Sequence, residues 1–209
     1  MNIFFYCNWS NQKEWLSALR KIFINENIVT LRSNPDLSKI EIAILWNIPN
    51  KHFKQLTNLK LIFSPGAGVD HILNLPSYNS QPIIRIKENS MAERMTNHVF
   101  SQILIKQLNL KIYFDAKKNK KWLGEINTEL NHNITVGFLG LGYLGSFVAK
   151  KLFKMGYKII GYKNSPPNKK FPFNVYYRKK DLSKFIKQSE ILVNILPSTQ
   201  QTNNLINKS

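Results

Sequence analysis

Ile134-Thr135-Val136-Gly137-Phe138-Leu139-Gly140-Leu141-Gly142-Tyr143-Leu144-Gly145 is the stretch on which the reading of the chain turns. Its first six residues have the composition of a strand buried on both faces. After the glycines, Phe147, Val148, Lys151, Leu152 and Met155 recur at the spacing of an amphipathic helix. A G-x-G-x-x-G match alone is a weak signal. Set between a buried strand and a helix, it has the context that dinucleotide binding requires. Gly140 permits the tight turn, Gly142 lets backbone approach a pyrophosphate, and Gly145 lets helix and strand pack closely. The amides of Tyr143 and Leu144, at the helix start, face the anion.

About 20 residues further on, such a unit places the residue that reads the adenosine ribose. A second strand, 157–162, ends there in Tyr162-Lys163-Asn164-Ser165. An Asp or Glu would bond the 2′-hydroxyl of NAD, and none is present. A cation beside amide and hydroxyl donors suits a 2′-phosphate, so the site favours NADP over NAD; the alternative is that Lys163 is one more surface lysine. A later strand, 190–196, runs into Leu196-Pro197-Ser198-Thr199. In a doubly wound sheet it lies beside the first strand, across the point where strand order reverses. Leu196 and Pro197 then flank the dinucleotide, and Thr202 offers a hydroxyl.

Upstream, short apolar runs at 3–7, 28–31, 42–46, 59–63 and 82–86 alternate with helical or turn-rich stretches. The pattern predicts α/β architecture: two flavodoxin-like or Rossmann-like parallel-sheet domains. The longest helical pattern covers 91–114, and the domain boundary is placed near residue 98, inside this helix or at its start, dividing the chain into 1–97 and 98–209. The second domain holds strands for only the 3-2-1-4 part of a six-stranded sheet, so it is expected to be incomplete at its C-terminal end. Strand 190–196 then becomes an exposed edge.

Composition narrows the classes. The 209 residues are 43% hydrophobic and 20% charged, which fits a packed core and excludes a disordered polymer. No apolar run approaches the ~18 residues of a membrane span, and the N-terminus lacks the pattern of a signal peptide. Cys7 is the one cysteine, so no internal disulfide or zinc cluster is expected. A soluble, cytoplasmic protein is the expectation. The formal charge of +18 comes from 25 Lys and 5 Arg, spread from Lys13 to Lys208. With 25 Asn and 24 Ile against 6 Ala, the lysines read as a product of A/T-rich codons. A nucleic-acid site would favour arginines in a concentrated stripe, so a solvated basic surface is expected, with no nucleic-acid partner and no membrane. His52, His71, His98 and His132 form no pair at metal spacing and read as surface or turn residues.

Together these residues resemble the D-isomer-specific 2-hydroxyacid dehydrogenases. Gly66-Ala67-Gly68-Val69-Asp70-His71-Ile72-Leu73 looks like that family's substrate-carboxylate loop. Ala43-Ile44-Leu45-Trp46-Asn47-Ile48-Pro49, Arg85 to Met95, Gly161 to Ser165 and Asn194 to Thr199 are similar to its glyoxylate/hydroxypyruvate reductase A branch. The resemblance implies NADPH-dependent reduction of a small 2-oxoacid, 1–97 as the substrate domain, 98–209 as the NAD(P)-binding domain, and a homodimer. It implies that the amides of Ala67 and Gly68 bind the carboxylate. A Gly-rich turn opening a helix supplies such donors. Trp46 is either a wall of that pocket or plain core. Met91 and Met95 either line the nicotinamide side or pack. The family's catalytic Arg, Glu and His are expected beyond the segment ending at Ser209, so no catalytic residue is assigned within the chain. A dinucleotide-binding protein without turnover is the competing reading.

Overall fold

The computed structural model of the chain describes residues 1–199 and 201–207. Two parallel sheets, each with its own core, organise them into two compact units. One comprises Met1–Lys87 with the described residues after Pro197, the other Glu88–Pro197. The sequence reading put the division ten residues later. The long helix Asn89–Gln107 lies wholly in the second unit, because its Val99 and Ile103 belong to that unit's core.

The first unit holds β1 (Asn2–Cys7), α1 (Gln12–Ile22), β2 (Asn27–Val29), β3 (Ile42–Trp46), α2 (Asn50–Phe53), β4 (Leu61–Ser64), α3 (Asp70–Leu73) and β5 (Ile83–Arg85). Its strands lie in the flavodoxin-like order β2-β1-β3-β4-β5. Side chains alternate across a strand. Phe4, Ala43, Leu45 and Ile62 therefore share one core with Ile48, Phe53 of α2 and Ile72 of α3. Ile3, Phe5, Cys7, Ile28 and Ile44 share the other with Leu19 of α1. Burial on both faces is why these strands read as unbroken apolar runs.

The second unit holds α4 (Asn89–Gln107), α5 (Leu110–Lys118), β6 (Thr135–Leu139), α6 (Tyr143–Lys154), β7 (Lys158–Tyr162), β8 (Asn174–Tyr176), α7 (Leu182–Gln188) and β9 (Ile191–Asn194). The strand order is β8-β7-β6-β9, all parallel. Val136 and Phe138 pack with Val148 and Leu152 of α6 and Val99 and Ile103 of α4. On the other face Gly137 admits α7 closely: a Cβ there would overlap the Ser189 hydroxyl. β9 stands at the sheet edge, with Ile191, Leu192 and Val193 half-buried.

Two local expectations change. The helix expected over 91–114 is two helices, because Asn109 adopts φ 53 between α4 and α5, a left-handed conformation that Asn tolerates better than most residues. The strand expected over 190–196 stops at Asn194, whose Oδ1 accepts the Leu196 N–H at 3.2 Å and turns the chain. Among the described residues no helix is long and apolar enough to cross a membrane.

Candidate functional site

In the second unit, β6 delivers the chain into the glycine turn. Gly140 has φ +103, a conformation open to glycine. Its N–H donates to the Tyr162 carbonyl at 2.9 Å, which ties the turn to the end of β7. A Cβ at Gly140 would stand 3.0 Å from the Ile195 carbonyl oxygen, and one at Gly145 would overlap the carbonyl oxygen of Gly140. These two glycines are fixed by the protein's own packing. Gly142 is not. It is exposed, its φ of −71° suits any residue, and a Cβ there would meet nothing within 4 Å. That open space at a helix start is a cradle that a side chain would fill, and it fits a pyrophosphate.

The first turn of α6 is fixed from within. Ser146 N–H donates to the Gly142 carbonyl at 2.9 Å and its hydroxyl to the Leu141 carbonyl at 2.8 Å. The N–H groups of Tyr143, Leu144 and Gly145 have no acceptor in the helix. They are available to an anion. The Tyr143 hydroxyl donates to Asn89 Oδ1 at 2.6 Å, at the start of α4, so its ring is tethered while its amide stays available.

Register places Leu139 opposite Tyr162, which brings Lys163, Asn164 and Ser165 to the same sheet end as Gly140. Lys163 is half-buried, with its N–H bonded to the Tyr176 carbonyl at 3.0 Å; Asn164 and Ser165 are exposed. Tyr162 contributes backbone. Its ring is buried 5.7 Å from Phe185, and burial pushes the phenol above its ordinary pKa. Half-buried Leu196 adjoins Gly140, whose Cβ would lie 3.2 Å from the Leu196 nitrogen, and Pro197 is exposed. Thr202 belongs to the first unit, where its hydroxyl donates to the Thr199 carbonyl at 3.2 Å.

The second constellation lies in the first unit, where β4 runs into the loop Pro65 to Val69. Buried Ser64 holds this loop from below. Its Oγ lies 3.3 Å from the Gly66 carbonyl oxygen and 3.2 Å from that of Gly68, and it accepts the Gly66 N–H at 3.4 Å. Arg85, at the end of β5, donates from Nη1 to the Ala67 carbonyl at 3.1 Å. The Trp46 indole lies so close over Gly66 that a Cβ would overlap its six-membered ring. Among the described residues the amides of Ala67, Gly68 and Val69 have no acceptor. The helix expected to follow is the single turn α3, so these donors owe little to a helix dipole and are presented by the loop itself.

Trp46 is half-buried within an aromatic run: ring centroids lie 5.0 Å to Trp9 and 4.2 Å to His71, and Trp9 lies 5.4 Å from Trp15. His71, read as a surface or turn residue, lies in the single helical turn α3 and off the open surface. It is half-buried against Trp46, its Nε2 is 3.4 Å from the Leu45 carbonyl, and burial holds its pKa below the ordinary histidine value. Met95 packs against the second unit's core. Among the described residues no group of three or more His, Cys, Asp or Glu is placed to hold a metal ion. Sequence reasoning gave no role to Ser64 or Arg85. Alternation put Ser64 on the buried Ile62 face, a signal that was there to use; Arg85 opened a run similar to the family, but nothing in that run tied it to the Ala67 carbonyl.

Residues 101–209 match the family model described as the NAD-binding domain of D-isomer-specific 2-hydroxyacid dehydrogenases. The chain belongs to that family. Among these dehydrogenases, glyoxylate/hydroxypyruvate reductase A of Yersinia enterocolitica is 30% identical over 217 residues, covering the whole of this chain and 68% of the relative. The Serratia proteamaculans protein of the same name is 27% identical and is covered over 67% of its length. The crystal structure of an NADPH-dependent glyoxylate/hydroxypyruvate reductase from Sinorhizobium meliloti, in complex with NADP and sulfate, superposes with a TM-score of 0.85 at 29% identity. It matches 96% of this chain, which spans 64% of that one. A family member from Xanthobacter autotrophicus with NADPH and MES gives 0.85 at 26% identity, with 65% of it covered. The chain thus spans about two thirds of the length of these relatives.

Proposed function

We propose that the protein takes part in NADPH-dependent reduction of a small 2-oxoacid, glyoxylate or hydroxypyruvate, to the 2-hydroxyacid. The second unit is the dinucleotide domain and the first the substrate domain. The observation that carries this reading is Gly142: a glycine with no packing or dihedral need for itself, set where a side chain would stand in the way of a pyrophosphate. The amides of Tyr143, Leu144 and Gly145 hold that group. Lys163, Asn164 and Ser165 bind the 2′-phosphate, where a carboxylate would repel it. Leu196 and Pro197 flank the dinucleotide. Two relatives solved with NADP or NADPH support the phosphorylated cofactor.

When bound, NADPH supplies the hydride that the carbonyl carbon of the oxoacid accepts. The chain's own contribution is orientation. The amides of Ala67 and Gly68 bind the substrate carboxylate, and Trp46 walls the pocket and excludes water. Polarising the ketone and protonating the alkoxide require a cation and an acid. By resemblance, the Arg, Glu and His that do this belong to the part of the relatives that these residues do not span. In a second reading the protein binds dinucleotide without turnover, since the open space at Gly142 and the amides beside it need none of those three residues. The protein also forms a homodimer in this proposal, and its lysines are a solvated surface with no nucleic-acid partner.

Calorimetric titration of the chain with NADPH and NADH, followed by glyoxylate with the absorbance of NADPH monitored, separates the readings. Saturable binding that favours NADPH, with turnover, supports the reductase. The same binding without turnover supports the second reading. Absence of binding refutes both.

A further inference from the structure

We infer that Arg85 and Ser64 are positioning residues that aim the amides of the carboxylate loop at the substrate. The inference rests on the proposed binding of a 2-oxoacid carboxylate at Ala67 and Gly68, and it assigns a role to two side chains that never touch the substrate. In a trans peptide the carbonyl and the N–H of one plane point in opposite directions. Whatever fixes the carbonyl on one side fixes the N–H on the other.

Three consecutive planes of this loop are held in that way. The plane joining Gly66 to Ala67 has its carbonyl 3.3 Å from Ser64 Oγ and leaves the Ala67 N–H without a partner among the described residues. The next has its carbonyl bonded to Arg85 Nη1 at 3.1 Å and leaves the Gly68 N–H without one. The third has its carbonyl 3.2 Å from Ser64 Oγ and leaves the Val69 N–H without one. All three carbonyls are occupied from behind and all three amides are open, the arrangement an anion-binding concavity needs. Ser64 is 3% exposed, so its one hydroxyl proton is shared between the two carbonyls away from competing water. Arg85 adds a second effect. A cation on the Ala67 carbonyl polarises that peptide and strengthens its N–H as a donor. The guanidinium therefore acts on the substrate through the Ala67–Gly68 peptide.

The test is NMR of the ¹⁵N-labelled 209-residue chain with oxamate as the probe, combined with calorimetry. Arg85 is exposed, so Arg85→Met leaves the melting temperature nearly unchanged. The expected result is an upfield shift of the Gly68 amide proton and oxamate binding weakened about tenfold, the scale of one hydrogen bond to a charged group. Arg85→Lys, which keeps a cationic donor, restores most of both. Ser64→Ala shifts the Ala67 and Val69 amides instead, and it weakens binding to a similar extent. If oxamate moves the Ala67 and Gly68 amides of the unaltered protein while Arg85→Met changes neither the Gly68 resonance nor the affinity, the positioning role is overturned alone. If oxamate leaves those amides of the unaltered protein unmoved, the carboxylate reading itself fails and the positioning role falls with it.

Discussion

Gly142→Ala separates a glycine kept for the fold from one kept for a ligand. In the free protein two small effects oppose each other. The φ of −71° is compatible with alanine, and removing a glycine from the unfolded chain stabilises by about 0.4–1 kcal/mol. Gly142 is also the N-cap of α6, where alanine is worse than glycine by up to about 1 kcal/mol. No clash adds to either, since the new methyl meets nothing within 4 Å. Net stability should stay within about 1 kcal/mol, or roughly 2–4 °C in melting temperature for a chain of this size. Binding should not survive so well. A methyl in the pyrophosphate cradle is an overpacking defect of about 1–3 kcal/mol, which is roughly 5- to 150-fold in Kd. At NADPH one hundred times the original Kd, the ligand stabilises by about 2.7 kcal/mol. A 30-fold weaker variant would keep only about 0.9 kcal/mol of that. Differential scanning fluorimetry with and without NADPH reads both numbers. Gly145→Ala is the contrast: its Cβ overlaps the Gly140 carbonyl oxygen, so it should lose stability before any ligand is added. A Gly142→Ala protein that keeps its full NADPH-induced shift would refute the assignment of the cradle.

Lys163→Glu is expected to weaken NADPH at least tenfold while leaving NADH within about threefold; equal losses for both, by calorimetry, would return Lys163 to the ordinary surface. The lowered pKa of His71, caused first by burial, sets a pH dependence of stability. Folded His71 binds protons less readily than unfolded histidine, so stability is fully present above the unfolded value near 6.5 and declines as pH falls through the folded one. Urea midpoints between pH 7 and pH 5 should fall, and His71→Asn should flatten that slope; an unchanged slope counts against a neutral imidazole packed on Trp46. Gly66→Ala drives a methyl into the Trp46 ring. It should cost about 1–3 kcal/mol and alter the near-ultraviolet circular dichroism of the Trp9–Trp46–His71 cluster, whereas a native spectrum would mean the indole moves aside freely.

What sequence could show followed from how each element is stabilised. β1, β3 and β6 are buried on both faces, so their apolar runs announced them. The G-x-G-x-x-G turn carries its constraints in residue identity, since only glycine satisfies the φ of Gly140 and the contact at Gly145. The break between α4 and α5 was hidden because Asn109 is one of many asparagines in this chain, and its left-handed backbone leaves no periodic trace. His71 was misjudged for a related reason. Its burial comes from Trp46, on a different strand, and no local pattern reports a contact 25 residues away. Ser64 acts on carbonyl groups two and four residues along the chain and Arg85 on one 18 residues back, and hydrogen bonds to backbone have no partner identity to search for.

The atoms that would face ligand in both constellations are main-chain N–H groups, at Tyr143 and Leu144 in one and at Ala67 and Gly68 in the other. A site made of amides is indifferent to which side chains flank it, provided the backbone path is kept. Selection on such a site therefore falls on the residues that shape the path: Gly140 and Gly145, Gly66 under the Trp46 ring, and Ser64 and Arg85 behind the carbonyls. This explains how a chain dominated by Lys, Asn and Ile, at 30% identity to a glyoxylate/hydroxypyruvate reductase, retains a recognisable G-x-G-x-x-G turn and the Gly66-Ala67-Gly68 loop. Composition can drift across the surface and through much of the core without moving a peptide plane. It also locates the vulnerability. Substitutions at Tyr143 or Ala67 change what surrounds the amides, whereas those at Gly66, Ser64 or Arg85 change where the amides point, and in the proposed chemistry the second kind alters how tightly an anion is held without placing any atom in its way.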